Sequence, residues 1–450
     1  MITQDNRTKN VLPKELEDFK LLAGKTIGEL SSEKFPGLLV FPRDLGLSEG
    51  LTADSCIYSL SLKNDNVEME TNNIVGFIGI GNSQLTIRSR FVDANQEDYF
   101  LHYMLEKVMA INIIDFMHQT AEEQVFDFLM FLFPVLLKKA IRQGVFREYQ
   151  SHHYDDANIK GKVDMARFIR KDIPFAGHVA YQTHEYSADN DMNQLIRHTI
   201  EYIKTKKVKE KCLYGNLLSG DDEVKRAVSL ICANTPGYQL RNRQNVIYRN
   251  LRPVRHPYFS AYLPLQRVCV QILRHQGLKY GQDKEKIHGI LFDVSWLWEE
   301  YLNTLLKPMG FLHPENRKRK GALYLFEDNH NQPRFPDFYQ EDIVLDAKYK
   351  DDKKNGVQRE DYHQMITYQY ILNGRVGGFI SPNVITEKCP LGKLNGYGAE
   401  LFSIHLGISR DSITYSDFRK KIEQEEATLC KELEKSLSVN KLQCPSKLLS

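Results

Sequence analysis

The sequence predicts a multi-domain mixed α/β (α+β) chain: a strand-rich and then helical N-terminal region, followed by a C-terminal α/β domain. Three observations carry this. Residues 1 to about 93 hold short β-branched and aromatic runs broken by Gly, Pro, Asn and Asp. From Glu97 to Gly144 the apolar residues recur at helical spacing. Near residue 340 a short apolar run, Ile343-Val344-Leu345, leads into alternating acid and base, as a buried strand would.

A chain of 450 residues is long enough for two to four domains. Hydrophobic residues make up 42% and charged residues 26%, which suits a globular protein with a sizeable core. The formal net charge is only +2, so any nucleic-acid surface must be local. Seven cysteines (Cys56, Cys212, Cys232, Cys269, Cys389, Cys430 and Cys444) are scattered and form no C-x-x-C. They read as free thiols in a reducing compartment, and zinc is not expected. The N-terminus has no apolar signal segment, and the most apolar window, 126–137, contains Asp127 and Pro134. A cytoplasmic protein is the expectation.

In chain order, strands are expected at Gly37–Pro42, Cys56–Leu62, Asn73–Ile80 and Gln84–Arg88. The glycines from Gly76 to Gly81 do not belong to a G-x-x-x-x-G-K-S/T phosphate loop, and no such loop occurs elsewhere. Ser187 or Asp189 is placed to cap a helix running through Leu195, Ile196 and Ile200. His152 and His153 point apart and have no third ligand nearby, so they read as solvated loop residues. Arg241, Arg243, Arg249, Arg252 and Arg255 surround Tyr248, a cluster fit for phosphate, for a protein partner or for solvent. Tyr258–Gln276 reads as one helix, and the polar stretch Lys279–Lys286 as a boundary. The expected division is therefore 1–95 strand-rich, 96–280 mostly helical, and 281–450 the C-terminal domain.

That last domain carries the chemistry. A helix from Val294 to Lys307 bears Glu299, and Ala322–Phe326 reads as its first strand. With a period of two, Asp346 and Lys348 share one strand face, and a hairpin about Gln340-Glu341-Asp342 brings Asp337 beside Asp346. Two carboxylates and an ammonium at the end of a hydrophobic strand are costly unless they hold a cation. Two carboxylate oxygens suit Mg²⁺, and the lysine can then steady the charge that builds on a phosphorus centre. Mn²⁺ could substitute. Arg317, Arg319, Lys350 and Lys353 flank this centre as a basic rim for a polyanion.

Pro336-Asp337 followed by Asp346-Ala347-Lys348 resembles the PD-(D/E)XK nuclease signature. Gln364 and Tyr368 resemble its Q-x-x-x-Y element, and Phe292–Tyr301 is similar to the F-D-M-x-x-L-F-E-x-Y segment of McrC-type restriction subunits. Gly144–Tyr149, Ile159–Asp164 and Tyr186–Asn193 follow the order of the McrC central region. The resemblance implies a restriction-endonuclease-like α/β/α domain with Asp337, Asp346, Lys348, Glu299 and Gln364 at its catalytic site. Asp337 and Asp346 would be the metal ligands, and the register leaves Glu300 as a rival to Glu299. It further implies a DNA endonuclease subunit in a phage-defence restriction system. The partner would be a McrB-type AAA+ ring that binds the GTP, with its hydrolysis stimulated by the region before about residue 280. The alternatives are a non-catalytic DNA-binding or ring-stimulating scaffold and a stand-alone Mg²⁺ nuclease.

Overall fold

The computed structural model describes residues 1–26, 29–30, 37–42, 56–63, 66–80, 83–92, 98–109, 121–209, 217–254, 256–278, 288–314, 321–331, 333–350, 356–396 and 398–441. These divide into two compact units, 1–125 with 284–450, and 126–283.

The first unit contains three sheets. Strands β1 (Ile2–Gln4), β3 (Gly37–Phe41), β6 (Ile74–Ile80), β7 (Ser83–Arg88) and β11 (His288–Asp293) form a mixed sheet in the order β1-β7-β6-β11-β3. Beside it, β2 (Thr8–Asn10), β4 (Tyr58–Lys63) and β5 (Asn66–Thr71) pair antiparallel in the order β2-β5-β4. A helix not expected from the strand-rich pattern, α1 (Pro13–Lys20), packs Phe19 into a core with Leu38, Val40, Tyr58, Ile78 and Leu291. Proline at its first turn starts this helix.

The expected division into 1–95, 96–280 and 281–450 is therefore redrawn. Strand β11 comes from beyond residue 281 yet lies between β6 and β3. Its apolar run satisfies its backbone on both sides only there. The glycines of β6 have a structural use at this junction. Gly76 has φ +131°, and a Cβ on it would stand 2.1 Å from the Ile290 carbonyl oxygen. Only glycine lets the two strands approach so closely.

The third sheet holds β12 (Phe338–Gln340), β13 (Ile343–Ala347), β14 (Val376–Asn383), β15 (Glu387–Lys393) and β16 (Glu400–Gly407), in the order β12-β13-β14-β16-β15. β13, β14 and β16 run parallel, and both edge strands are antiparallel to their neighbours. Paired residues share a face, so Val344, Phe379 and Leu401 lie on the side where Met365 and Tyr368 of a covering helix complete an apolar cluster. On the other side lie a second helix, which carries Trp298, and the C-terminal helix. This is an α/β/α sandwich. Ala322–Phe326, expected as a strand, contributes only the isolated bridge Leu323 to Arg334. Tyr324, Leu325 and Phe326 are exposed, so the run has no apolar face to bury.

The helices of this unit, after α1, are α2 (Tyr99–Met109), then Val294–Leu306, Arg359–Leu372 and Tyr415–Lys441. Phe100 and Tyr103 of α2 pack edge-on against Tyr301.

The second unit is mostly helical around one small sheet. It holds α3 (Ala121–Ile141) from Phe126 onward, α4 (Met165–Lys171), α5 (Asp191–Lys209), α6 (Asp222–Ala233), α7 (Arg243–Arg249) and α8 (Tyr262–Leu278). Strands β8 (Glu148–Asp156), β9 (Lys162–Val163) and β10 (Val179–Ser187) pair in the order β8-β10-β9. Three readings change here. His152 and His153 sit on β8 rather than in a loop, pointing to opposite faces. The helix expected from Tyr258 begins at Tyr262. Helix α5 is capped by Asn190, whose Oδ1 accepts the Asn193 N–H at 3.0 Å, while Ser187 and Asp189 are used elsewhere. Asparagine is as good a cap as serine or aspartate, so residue type could not choose among the three.

Accordingly, the remaining helices are α9 (Val294–Leu306), α10 (Arg359–Leu372) and α11 (Tyr415–Lys441). Among the described residues, no helix is long and apolar enough to cross a membrane.

Candidate functional site

The site is built on the β12–β13 hairpin. Glu341 turns it with a positive φ of 49°, and Phe338 pairs with Leu345. That register sets Asp337 opposite Asp346. An Asp337 carboxyl oxygen accepts the Ala347 N–H at 2.8 Å, which locks the side chain across the strand pair. Asp346 is 1% exposed, at the end of the fully apolar run from Ile343. The sheet core thus holds the Asp346 carboxyl away from water, with half-buried Asp337 beside it.

Lys348 completes the group. Its Nζ lies 2.6 Å from Asp346 Oδ2 and 3.2 Å from Asp361 Oδ1, and donates to Gln364 Oε1 at 3.1 Å. Gln364 in turn donates to the Tyr368 hydroxyl at 2.6 Å, and that hydroxyl donates to the Phe335 carbonyl at 2.7 Å. The chain from Lys348 to Phe335 runs along one stripe of α10, because residues 361, 364 and 368 recur at helical spacing. Lys350 donates to Asp361 at 2.9 Å, so its charge is committed to the same acid.

The electrostatics follow from burial. Burial, then the charges of Asp346 and Glu299, push the Asp337 carboxyl well above the ordinary range. Burial also raises Asp346, opposed by the Lys348 ammonium and by a hydrogen bond with Asp337. Two negative charges side by side are thus disfavoured here, and a divalent cation between them would relieve that cost. For Lys348 burial acts downward, but Asp346, Asp361 and Asp337 outweigh it and hold the ammonium charged. Asp361 is raised by burial and lowered more strongly by Lys350, the Gln358 N–H and Lys348, so it stays ionised.

The residues selected from the sequence are not all brought together. Asp337, Asp346, Lys348 and Gln364 converge. Glu299, on α9, lies close enough to raise Asp337 but does not join it and Asp346 in a cluster of ligand atoms within 4.8 Å. Of the two rivals, Glu300 faces His313 Nε2 at 3.8 Å, while the charge of Glu299 is among those that raise Asp337. Arg317, Arg319 and Lys353 lie outside the described residues. Two residues were not singled out. Asp361 sits on the same helical stripe as Gln364, a spacing that could have found it. His313, whose Nδ1 is 2.7 Å from the Asp337 carbonyl oxygen, lies in no pattern that would have found it. Of the arginine cluster, Arg249 pairs with Asp191 and Arg243 lies over Tyr202, which makes part of it structural.

A metal fits this donor set. Buried Asp346 and half-buried Asp337 are two carboxyl groups whose mutual repulsion a dication would relieve, with oxygen donors of the kind Mg²⁺ prefers.

Residues 69–380 match the family described as McrBC 5-methylcytosine restriction system component. This chain belongs to that family. The matched span of this McrBC family member includes the hairpin, Lys348, Gln364 and Tyr368. No curated protein matches it. Among solved structures it is similar to a chain of the Thermococcus gammatolerans assembly described as McrB AAA+ hexamers with bound McrC. The identity is 16%, with 94% of this chain and 99% of that chain covered and a TM-score of 0.47. It is also similar to a chain of the Thermococcus gammatolerans McrBC complex, at 14% identity, 68% and 87% coverage, and a TM-score of 0.29.

Proposed function

We propose that this chain is the endonuclease subunit of a McrBC-type restriction system, cutting duplex DNA with Mg²⁺ alongside a McrB-type AAA+ GTPase ring. The observation that carries the reading is Asp337 set opposite buried Asp346, with Lys348 2.6 Å from Asp346. Family membership supports the assignment to a McrBC system. The sequence has no G-x-x-x-x-G-K-S/T loop, so the GTP would be bound by the partner.

Asp337 and Asp346 would hold the metal, which when bound supplies Lewis-acid polarisation of phosphate and activation of water. This chain's own residues do the rest. Lys348 presents a preformed positive charge to the phosphate oxygens as negative charge builds on them. Asp361 and Gln364 hold that ammonium in place, and Tyr368 holds Gln364, so little reorganisation is left to the moment of reaction. Glu299 tunes Asp337 from outside the pair.

Asp346→Asn tests the reading, because it removes a charged ligand without changing shape. With the partner ring and GTP present, wild type should cleave methylated duplex in Mg²⁺ and the variant should not, while the ring's GTPase stimulation is unchanged. A variant that cuts as fast as wild type would refute the site. Wild type that stimulates the ring but binds no divalent metal and cuts neither methylated nor unmethylated duplex would make the chain a scaffold.

A further inference from the structure

We infer that Glu387, Cys389 and His405 form a second metal site, for Zn²⁺ or a similar borderline cation, clipping edge strand β15 to β16. In the antiparallel pairing of these strands Glu387 opposes His405 and Cys389 opposes Ser403. Glu387, Cys389 and His405 therefore point to one face, and their carboxylate, sulfur and ring-nitrogen atoms all lie within 4.8 Å of one another. Among the described residues this is the one set of three such side chains so placed. A tetrahedral zinc site separates its ligand atoms by about 3.3–3.8 Å, so the three need to draw in by only ~1 Å. Exposed Glu387, on an edge strand, has the freedom to do so.

The histidine is set up as a ligand. His405 is 6% exposed, and its Nδ1 lies 2.8 Å from Ser381 Oγ on β14. A hydrogen bond to one ring nitrogen fixes ring orientation and tautomer and directs the other, Nε2, to the metal, as around known histidine ligands. The donor set decides the ion. A thiolate with an imidazole and one carboxylate suits zinc, whereas magnesium prefers all-oxygen sites. Three protein ligands leave a fourth position for water on the side where Glu387 meets solvent.

This site is distinct from the carboxylate centre. Asp346, Phe379, Ser403 and Cys389 are successive partners across the sheet. Cys389 thus shares the face of Asp346 but lies three strands away, about 14 Å at ordinary strand spacing. A clip there has a physical use, since β15 is an edge strand whose pairing slips between Pro390 and Gly392. The inference does not depend on the proposed nuclease activity.

The test is Co²⁺ titration of the full chain, followed by near-ultraviolet absorption, then displacement by Zn²⁺. Wild type should develop a thiolate-to-Co²⁺ charge-transfer band that one equivalent of Zn²⁺ abolishes. Cys389→Ser should show no such band. Ser381→Ala should keep the band but bind Co²⁺ about tenfold more weakly or worse. The carboxylate centre contains no thiol, so it cannot produce the signal. A wild type without the band, or a band that survives Cys389→Ser, overturns the assignment.

Discussion

The Tyr349 hydroxyl lies 2.9 Å from Ser89 Oγ, joining residues 260 positions apart in sequence. Tyr349 directly follows Lys348, and its ring packs edge-on against Phe91 at 5.1 Å between centroids. The N-terminal segment thus anchors the strand end that presents the lysine. Tyr349→Phe should cost about 1 kcal/mol, the net worth of one hydrogen bond. Tyr349→Ala should cost about 3–5 kcal/mol through the cavity it leaves. Urea unfolding measures both, and equal effects would show that the hydroxyl rather than the ring carries the anchor.

Lys348→Ala separates metal binding from chemistry. It removes a cation from beside two carboxyl groups, so Mn²⁺ affinity measured by calorimetry should hold or rise. Cleavage should nonetheless fall by the ~3–4 kcal/mol typical of losing a preorganised charge at a developing oxyanion. Weakened metal binding with intact cleavage would contradict the role given to the ammonium.

In the proposed mechanism Asp361 positions other groups, because it touches Lys348 and Lys350 rather than the reacting atoms. Asp361→Asn keeps an oxygen for the Gln358 N–H, 3.0 Å away, so α10 should persist. The lysine is left less constrained, and kcat should fall by up to about a hundredfold with KM little changed. An effect on KM alone would place Asp361 in DNA binding instead.

His198 is expected to contribute to unfolding in acid. It is fully buried on α5, and neither ring nitrogen has a hydrogen-bond partner among the described residues. Burial, then the charges of Arg243 and Arg197, depress it from 6.5 to about 4. A depressed folded-state value means that its contribution is present above pH ~6.5 and is lost as pH falls through about 4. His198→Leu should raise the unfolding midpoint at neutral pH and flatten its fall between pH 6.5 and 4. A variant with the parent's pH dependence would exclude His198.

Chain cuts test how the units are built. A fragment ending at residue 280 lacks β11, which lies between β6 and β3, so the N-terminal sheet should not form cooperatively. Residues 126–283 make one compact unit and should unfold in a single transition. Circular dichroism with urea distinguishes the two: fragment 1–280 should show only the transition of the 126–283 unit, and a second cooperative transition from its first 125 residues would show β11 to be dispensable.

Local pattern alone determined the carboxylate hairpin. The apolar run into Asp346, the turn at Glu341-Asp342 and the two-residue alternation already set Asp337 against Asp346, because register and face follow from neighbours in the chain. The stripe from Gln364 to Tyr368 was legible for the same reason, through helical spacing. Tertiary structure decided what depends on residues far apart in sequence. The docking of β11 between β6 and β3, and the placing of Glu299 near Asp337 and of Glu300 3.8 Å from His313, have no local signature. Nor do Glu387, Cys389 and His405, whose separation lacks the short spacings of a zinc motif. Two antiparallel strands bring them to one face, and only their pairing register, set by hydrogen bonds between strands, could place them there.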